Sequence, residues 1–186
     1  MFNLLKFWLL SRRLEKIKAR FKAIGENVCL SSGFDVSFPE RIELGSHIYI
    51  GPGAIVAGDG GLRIEDGVII GPRVTILTST HRYEHADSLP YDDVTELRPV
   101  VIETNVWIGA NVSIVPGVTI KEGAIIAMGT VVSKNIPVGA VAGGNPVQII
   151  KFRDMEHYNK IKSTGRCYLD LKAKGLIRRK ECVERK

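Results

Sequence analysis

Aliphatic residues recur at every sixth position through most of this chain, a period that belongs neither to a helix nor to an ordinary strand. From Ile102 the beat continues through Ile108, Ile114, Ile120, Ile126, Val132 and Val138. Upstream it runs in triplets: Ile24, Leu30 and Val36; Leu44, Ile50 and Val56; Ile64, Ile70 and Ile76. Each triplet starts 20 residues after the one before, which is three hexads plus two residues. Self-similarity at a short fixed period marks a solenoid, in which each turn of chain packs only on its neighbours. Amphipathic helices would repeat every ~3.6 residues and are excluded over this stretch.

Six residues suit one short strand and one tight turn. The first residue points inward, and the second, often glycine (Gly25, Gly45, Gly51, Gly71, Gly109, Gly139), is available for the turn. The fifth is small or β-branched, as in Val68, Val74, Val106, Val112, Val118, Ala124 and Thr130. Three such units return the chain above its start and make a triangular prism, whose coils pair as parallel strands about 4.8 Å apart. The two extra residues per coil, near Pro39 and Glu40 and again near Asp59 and Gly60, bulge from one corner. After Ile76 the beat stops, and residues 79–99 are predicted to leave the prism as a polar loop carrying His81.

A chain of 186 residues with 45% hydrophobic content fits one domain with an ample core. It contains no run of about 18 apolar residues, so no transmembrane helix is expected. Residues 2–10 are apolar but lack the small-residue cleavage site of a secretory signal. Cys29, Cys167 and Cys182 show neither CxxC nor metal-ligand spacing, which fits free thiols in a reducing cytoplasm. The net charge of +6 hides an asymmetry: residues 1–25 carry +6, residues 26–150 carry −7 and residues 151–186 carry +7. Basic ends suit nucleic acid, anionic lipid or a phosphorylated cofactor. No nucleic-acid-binding motif accompanies them, so nucleic acid is set aside.

Three segments follow. Residues 1–23 are predicted to be helical, apolar first and basic later, without Gly or Pro. Such a helix either caps the first coil and contacts a partner subunit, or lies on a membrane surface, which would put the protein at the inner face of the membrane. Residues 24–150 form the repeat body. Residues 151–186 return to a charged, helix-favouring composition, expected to give one or two helices packed back on the prism and a frayed basic end.

The chain resembles the hexapeptide-repeat acyltransferases, in particular their galactoside, maltose and polysaccharide O-acetyltransferase branch. The resemblance covers roughly residues 24–153. It rests on the hexads, on Thr80-His81 opening the loop, and on Asn105-Val106-Trp107-Ile108-Gly109. Further matches are Pro116-Gly117-Val118-Thr119-Ile120, Ser133-Lys134-Asn135-Ile136-Pro137 and Ala142-Gly143-Gly144-Asn145-Pro146. It implies an all-β, left-handed parallel β-helix, a hand that spacing alone does not supply. It also implies a homotrimer with acetyl-CoA bound between neighbouring prisms and an acceptor that is typically a sugar hydroxyl.

Moving an acetyl group from a thioester to an alcohol requires a base for the hydroxyl proton, donors for the oxyanion, and two substrates held within reach. Neutral imidazole, with an ordinary pKa of about 6.5, suits the first task. His81 is the candidate base, and the catalytic histidine of the resembling family falls on it. By resemblance, the Ala110 N–H faces the oxyanion and Trp107 lines the acyl pocket. Met128, Ser133 and Lys134 match positions that hold the pantetheine arm and phosphates, and the adenosine end is placed near Gln148 and Lys151. Position 148 is Gln where the galactoside enzymes have Arg, a contact that Arg153 is placed to replace. Gly51 stands where those enzymes have an acceptor-binding Asn, while Asp59 matches their acidic acceptor contact. Tyr83 and His85, and with them Asp92, share the loop with His81 and are candidates for acceptor contact or loop packing. No cysteine falls in the implied cleft, so direct transfer is favoured over an acyl-enzyme on Cys29.

Three alternatives stay open at this point. An amino-sugar acceptor would make the reaction N-acetylation. A γ-type carbonic anhydrase on the same prism would need three converging histidines, for which His47, His81 and His85 lack the spacing. A prism used only as a scaffold would bind no coenzyme A. The reading preferred is an acetyl-CoA-dependent sugar O-acetyltransferase with no metal requirement.

Overall fold

A computed structural model describes residues 2–177. Strands of two to five residues build three faces of a parallel β-helix. The first face stacks Ala23–Ile24, Ile42–Leu44, Leu62–Ile64, Val100–Ile102 and Thr119–Ile120, and a bridge from Ile120 to Ile136 extends it. The second face stacks Cys29–Leu30, Tyr49–Ile50, Ile69–Ile70, Trp107–Ile108, Ile125–Ile126 and Ala140–Gly143. The third stacks Asp35–Ser37, Ile55–Ala57, Thr75–Leu77, Ser113–Ile114 and Val131–Val132. We call the corner from first to second face the first edge, that from second to third the second edge, and that from third to first the third edge.

The register carries the sequence beat directly into space. Ile24 pairs with Leu44, Leu44 with Ile64, Ile64 with Ile102, and Ile102 with Ile120. The aliphatic ladder Leu44, Ile64, Ile102, Ile120 and Ile136 is at most 3% exposed. Fifth-position residues fill the gaps between ladders, and Val68, Val74, Val106, Val112 and Ala124 are fully buried. Each such side chain contributes on the order of 1.5–3 kcal/mol by leaving water, Ala124 less.

Two expectations need correction. The left-handed residue of each turn is the fourth of the hexad, not the second: Asn27, His47, Arg73, Asn105 and Asn111 all have φ near +55°, and glycine fills most of the remaining places. Second-position glycines answer a different need. A Cβ on Gly71 would stand 2.8 Å from the Ala110 nitrogen, so the next coil's backbone lies where a side chain would begin. The last step of the beat is also shorter than it reads. Ile136, four residues after Val132, is fully buried, whereas Val138 is 45% exposed, because Ser133, Lys134 and Asn135 make a tighter corner.

Helices close the two ends. α1 (Phe2–Lys18) stops earlier than residue 23; Leu14 and Ile17 pack on the core, and Phe21 covers the first coil. At the other end the chain does not pass straight into helix. Gln148–Phe152 first folds back antiparallel on Ala140–Gly143. Then α2 (Met155–Lys162), capped by Asp154, and α3 (Tyr168–Ala173) follow. α2 docks on the first edge through Tyr158, which donates to Glu122 (2.9 Å) and accepts from Asn105 (3.2 Å). Gly123 is bare beneath the Tyr158 ring, 2.9 Å from where a Cβ would sit. Burial, with help from the Glu122 carboxylate, pushes the Tyr158 hydroxyl up to about 12. Burial would raise Glu122, but hydrogen bonds from Lys162 and Tyr158 outweigh it and hold the carboxyl below its usual range.

The predicted loop leaves the third edge, above the corners where Pro39–Arg41 and then Asp59 and Gly60 bulge. Buried Thr78 anchors its exit: its hydroxyl donates to the Ala57 carbonyl (2.7 Å) and accepts from the Gly60 N–H (2.8 Å). Ser79–His81 and Thr95–Leu97 then form an antiparallel hairpin with His81 opposite Thr95. Beyond it, buried Asp92 accepts from Arg82 (2.7 Å at Nε) and from the N–H groups of Asp87 (3.3 Å) and Val94 (3.0 Å). The Arg82 hydrogen bond, overcoming burial, holds the Asp92 carboxyl below its usual range. Asp92 is thus a packing residue of the loop.

Two tests follow from this geometry. Gly71→Ala should lower stability by roughly 1–3 kcal/mol through overpacking. Gly129→Asn, with φ +72° and open space around it, should cost less than about 1 kcal/mol, and thermal melts followed by circular dichroism compare the two. Asp92→Asn should speed proteolysis within residues 82–94 while leaving the melting of the prism unchanged. Because the Asp92 carboxyl is depressed, its anchoring is present above the ordinary aspartate range and is lost as pH falls through its lowered value. Limited proteolysis across acid pH should therefore show loop protection persisting well into the acid range in the native chain.

Candidate active site

His81 ends the first hairpin strand and is exposed. Its ring lies flat on Tyr91, with centroids 3.9 Å apart and planes 9° from parallel. Among the described residues, neither ring nitrogen has a protein hydrogen-bond partner, so both are available to a substrate. Tyr83, 68% exposed, and His85 lie farther out on the loop. Asp59 sits at the loop's base, its carboxylate 3.3 Å from the Thr78 hydroxyl. Ser133 and Lys134 are exposed on the same third edge, two coils above.

The second edge has a different chemistry. On the first edge, four third-position N–H groups are capped by side chains of the adjoining coil, Glu26 by Ser46, Ser46 by Asp66, Thr104 by Glu65 and Glu122 by Glu103, while that of Asp66 has no protein acceptor among the described residues. On the second edge the equivalent residues are Ser32, then Pro52 and Pro72, which have no N–H, then Ala110 and Met128. The N–H groups of Ser32, Ala110 and Met128 have no protein acceptor among the described residues, although the Ala110 carbonyl accepts from Gly129 (2.9 Å). Backbone donors left open at a corner are what a developing oxyanion or an amide-bearing ligand needs. Met128 itself is 71% exposed.

Trp107 stands outward on the second face between Ile69 and Ile125, 55% exposed. It borders a groove of about 340 Å³ whose far wall is the C-terminal segment, with Tyr158, Ile161, Arg166 and Tyr168. Gln148 and Lys151 are exposed on the strand that folds back over this face. Arg153 is occupied, donating to the Gly123 carbonyl (2.9 Å) and lying 4.7 Å from the centre of the Tyr158 ring, so it does not take the place of the arginine missing at position 148. Gly51 has no room for a side chain, with Gly71 2.7 Å from its would-be Cβ.

One chain therefore groups the candidates in two places. His81, Asp59, Ser133 and Lys134 share the third edge, and Ala110, Met128, Trp107, Gln148 and Lys151 share the second edge and second face. The third face separates them. His47 is on the first edge, paired with Asn27 and Glu26, and does not join His81 and His85. Among the described residues no group of three His, Cys, Asp or Glu side chains is placed to hold a metal ion. Sequence reasoning missed Tyr91 as the partner of His81. No spacing in the sequence marks it, because the hairpin register sets Thr95, not Tyr91, opposite His81.

Comparison with known proteins agrees with this architecture. The family pattern described as "Bacterial transferase hexapeptide (six repeats)" matches residues 99–134. Galactoside O-acetyltransferase of Escherichia coli is 33% identical over 152 residues, spanning 80% of this chain and 74% of that protein. The Lactococcus lactis galactoside O-acetyltransferase is 31% identical over 157 residues, spanning 81% and 75%. Among solved structures, a hexapeptide-repeat acetyltransferase of Vibrio cholerae complexed with acetyl-CoA matches with a TM-score of 0.70 at 30% identity, covering 76% of each chain. Galactoside acetyltransferase in complex with coenzyme A matches with a TM-score of 0.70 at 31% identity, covering 79% of this chain and 73% of that one. The prism is accordingly the left-handed β-helix, and the chain belongs to the hexapeptide-repeat acetyltransferases.

Proposed function

We propose that this protein transfers acetyl from acetyl-CoA to a saccharide hydroxyl, directly and with His81 as general base. The observation that carries this reading is the pairing of two complementary features on one prism. An imidazole with both nitrogens open stands on one edge, and a backbone N–H without an acceptor, that of Ala110, stands on another. The acceptor class rests on the galactoside O-acetyltransferase relatives and on a maltose O-acetyltransferase of Clostridium difficile with a TM-score of 0.68 at 28% identity.

The residues divide the work as follows. His81 takes the proton as the acceptor oxygen attacks the thioester carbonyl carbon. The Ala110 N–H stabilises the oxyanion on the carbonyl oxygen. Collapse breaks the carbon–sulfur bond, and the thiol leaves with the proton returned by the imidazolium. Trp107 lines the acyl pocket, and Met128 supplies surface for the pantetheine arm. Ser133, Lys134, Gln148 and Lys151 supply polar and cationic contacts for phosphates. Asp59, Tyr83 and His85 line the acceptor side.

Since His81 and Ala110 stand on different edges of one prism, the complete site forms between chains of a homotrimer, the third edge of one chain meeting the second edge of its neighbour. α1, with Trp8 and Leu9 exposed beside Arg12, Arg13 and Lys16, suits an anionic membrane surface, and a lipid-linked or surface-polysaccharide acceptor would be met there.

His81→Ala should lower kcat by at least ~10²-fold with KM for acetyl-CoA nearly unchanged, measured by thiol release over a panel of hydroxyl and amino sugars. Ala110→Pro offers a sharper test. Gly-Pro already occupies the same corner at Gly51-Pro52 and Gly71-Pro72, so the fold should tolerate it while the N–H is removed. Loss of one such donor should cost roughly 10²–10³ in kcat. Co-expressed His81→Ala and Ala110→Pro chains should regain part of the native rate, whereas two dead enzymes that stay dead when mixed would place both groups in one chain.

A further inference from the structure

We propose that Tyr91 is a positioning residue that sets the plane of the His81 imidazole. The inference rests on the reading of His81 as the base and goes beyond it, because it concerns what orients that base. A general base is ordinarily held by a hydrogen bond from its second nitrogen to a carboxylate or carbonyl. Among the described residues His81 has no such partner. What fixes its ring is a face: the Tyr91 ring at 3.9 Å, within 9° of parallel. Stacking of this kind restricts rotation about the imidazole side-chain bonds while leaving both nitrogens at the ring edge free, one for the acceptor hydroxyl and one for solvent or substrate.

Tyr91 can serve this way because it is itself held. The next residue, Asp92, is buried and takes hydrogen bonds from Arg82, the residue after His81. The Asp92 N–H donates to the Arg82 carbonyl (3.3 Å), the Arg82 N–H donates to Val94 (3.0 Å), and the Ser88 hydroxyl donates to the Tyr91 carbonyl (2.8 Å). Two adjacent rungs thus close the loop's neck, an ion pair between Arg82 and Asp92 and a ring stack between His81 and Tyr91. The ion pair fixes the backbone, and the stack passes that order to the imidazole. Contact of this strength is worth roughly a tenfold population ratio between stacked and unstacked ring, which sets the scale of the expected effect.

The test uses the full-length protein labelled at histidine Cε1 and observed by NMR, in which His81→Ala identifies one of four resonances. In the native chain the His81 resonance should lie upfield of the others through the ring current of Tyr91. Tyr91→Phe should keep that shift and the native rate. Tyr91→Leu should abolish the shift and lower kcat roughly tenfold, with KM for acetyl-CoA unchanged and the loop as resistant to protease as before. A native resonance without the shift overturns the proposal. So does Tyr91→Leu turning over at the native rate, or Tyr91→Leu whose loop is cut faster, which would make Tyr91 an anchor and not a guide. Full activity in His81→Ala would instead refute the base assignment, with the ring-current shift still reporting the stack.

Discussion

Everything in this molecule depends on one coil lying directly on the next. Parallel pairing at strand spacing places Ile64 on Leu44 and Ile102 on Ile64, and the same pairing brings backbone against backbone at each corner. The aliphatic ladder and the bare second-position glycines are two results of that single constraint: large residues are demanded inside the prism, and at corners such as Gly51 and Gly71 the next coil's backbone leaves no room for a side chain. The long insertion does not disturb it. Ile64 pairs with Ile102 as Leu44 pairs with Ile64, whatever the length of chain between them.

Given a stack held this way, the three edges are free to differ. On the first edge four N–H groups are capped by side chains, and α2 docks on it through Tyr158 and Glu122. The second edge loses two donors to proline and leaves those of Ser32, Ala110 and Met128 open. The third edge releases extra chain, most of all the hairpin that carries His81. The proposed site, with an open donor and a base on separate edges, is natural to a prism, since its edges cannot meet within one chain.

The sequence made the repeat readable because burial imposes the period: a residue that must face inward on every coil recurs at every hexad. The corner carrying the insertions was legible for the same reason, from the two residues in excess of three hexads. Turn chemistry was not legible. Position four takes Asn, His, Arg or Gly, a mixed set joined only by its left-handed backbone, whereas the conspicuous glycines of position two serve packing. Val138 misled because it kept the beat while the corner at residues 133–135 shortened by two. His81 was singled out by its place on the loop and by resemblance, whereas its stack on Tyr91 was not foreseen, since no periodic signal marks a contact made once. The Ala110 N–H was suggested by resemblance alone, since it shares its open state with the N–H groups of Ser32, Asp66 and Met128.

The indifference of coil register to what leaves the third edge has a further meaning. The hairpin is attached through Thr78 and Arg98, which bind back to the prism, and its own order comes from Arg82 and Asp92 within it. Core and hairpin are therefore separately specified modules joined at two points. A scaffold of this kind is suited to grafting: segments of other lengths and compositions could be exchanged between those two points while the coils beneath keep their register.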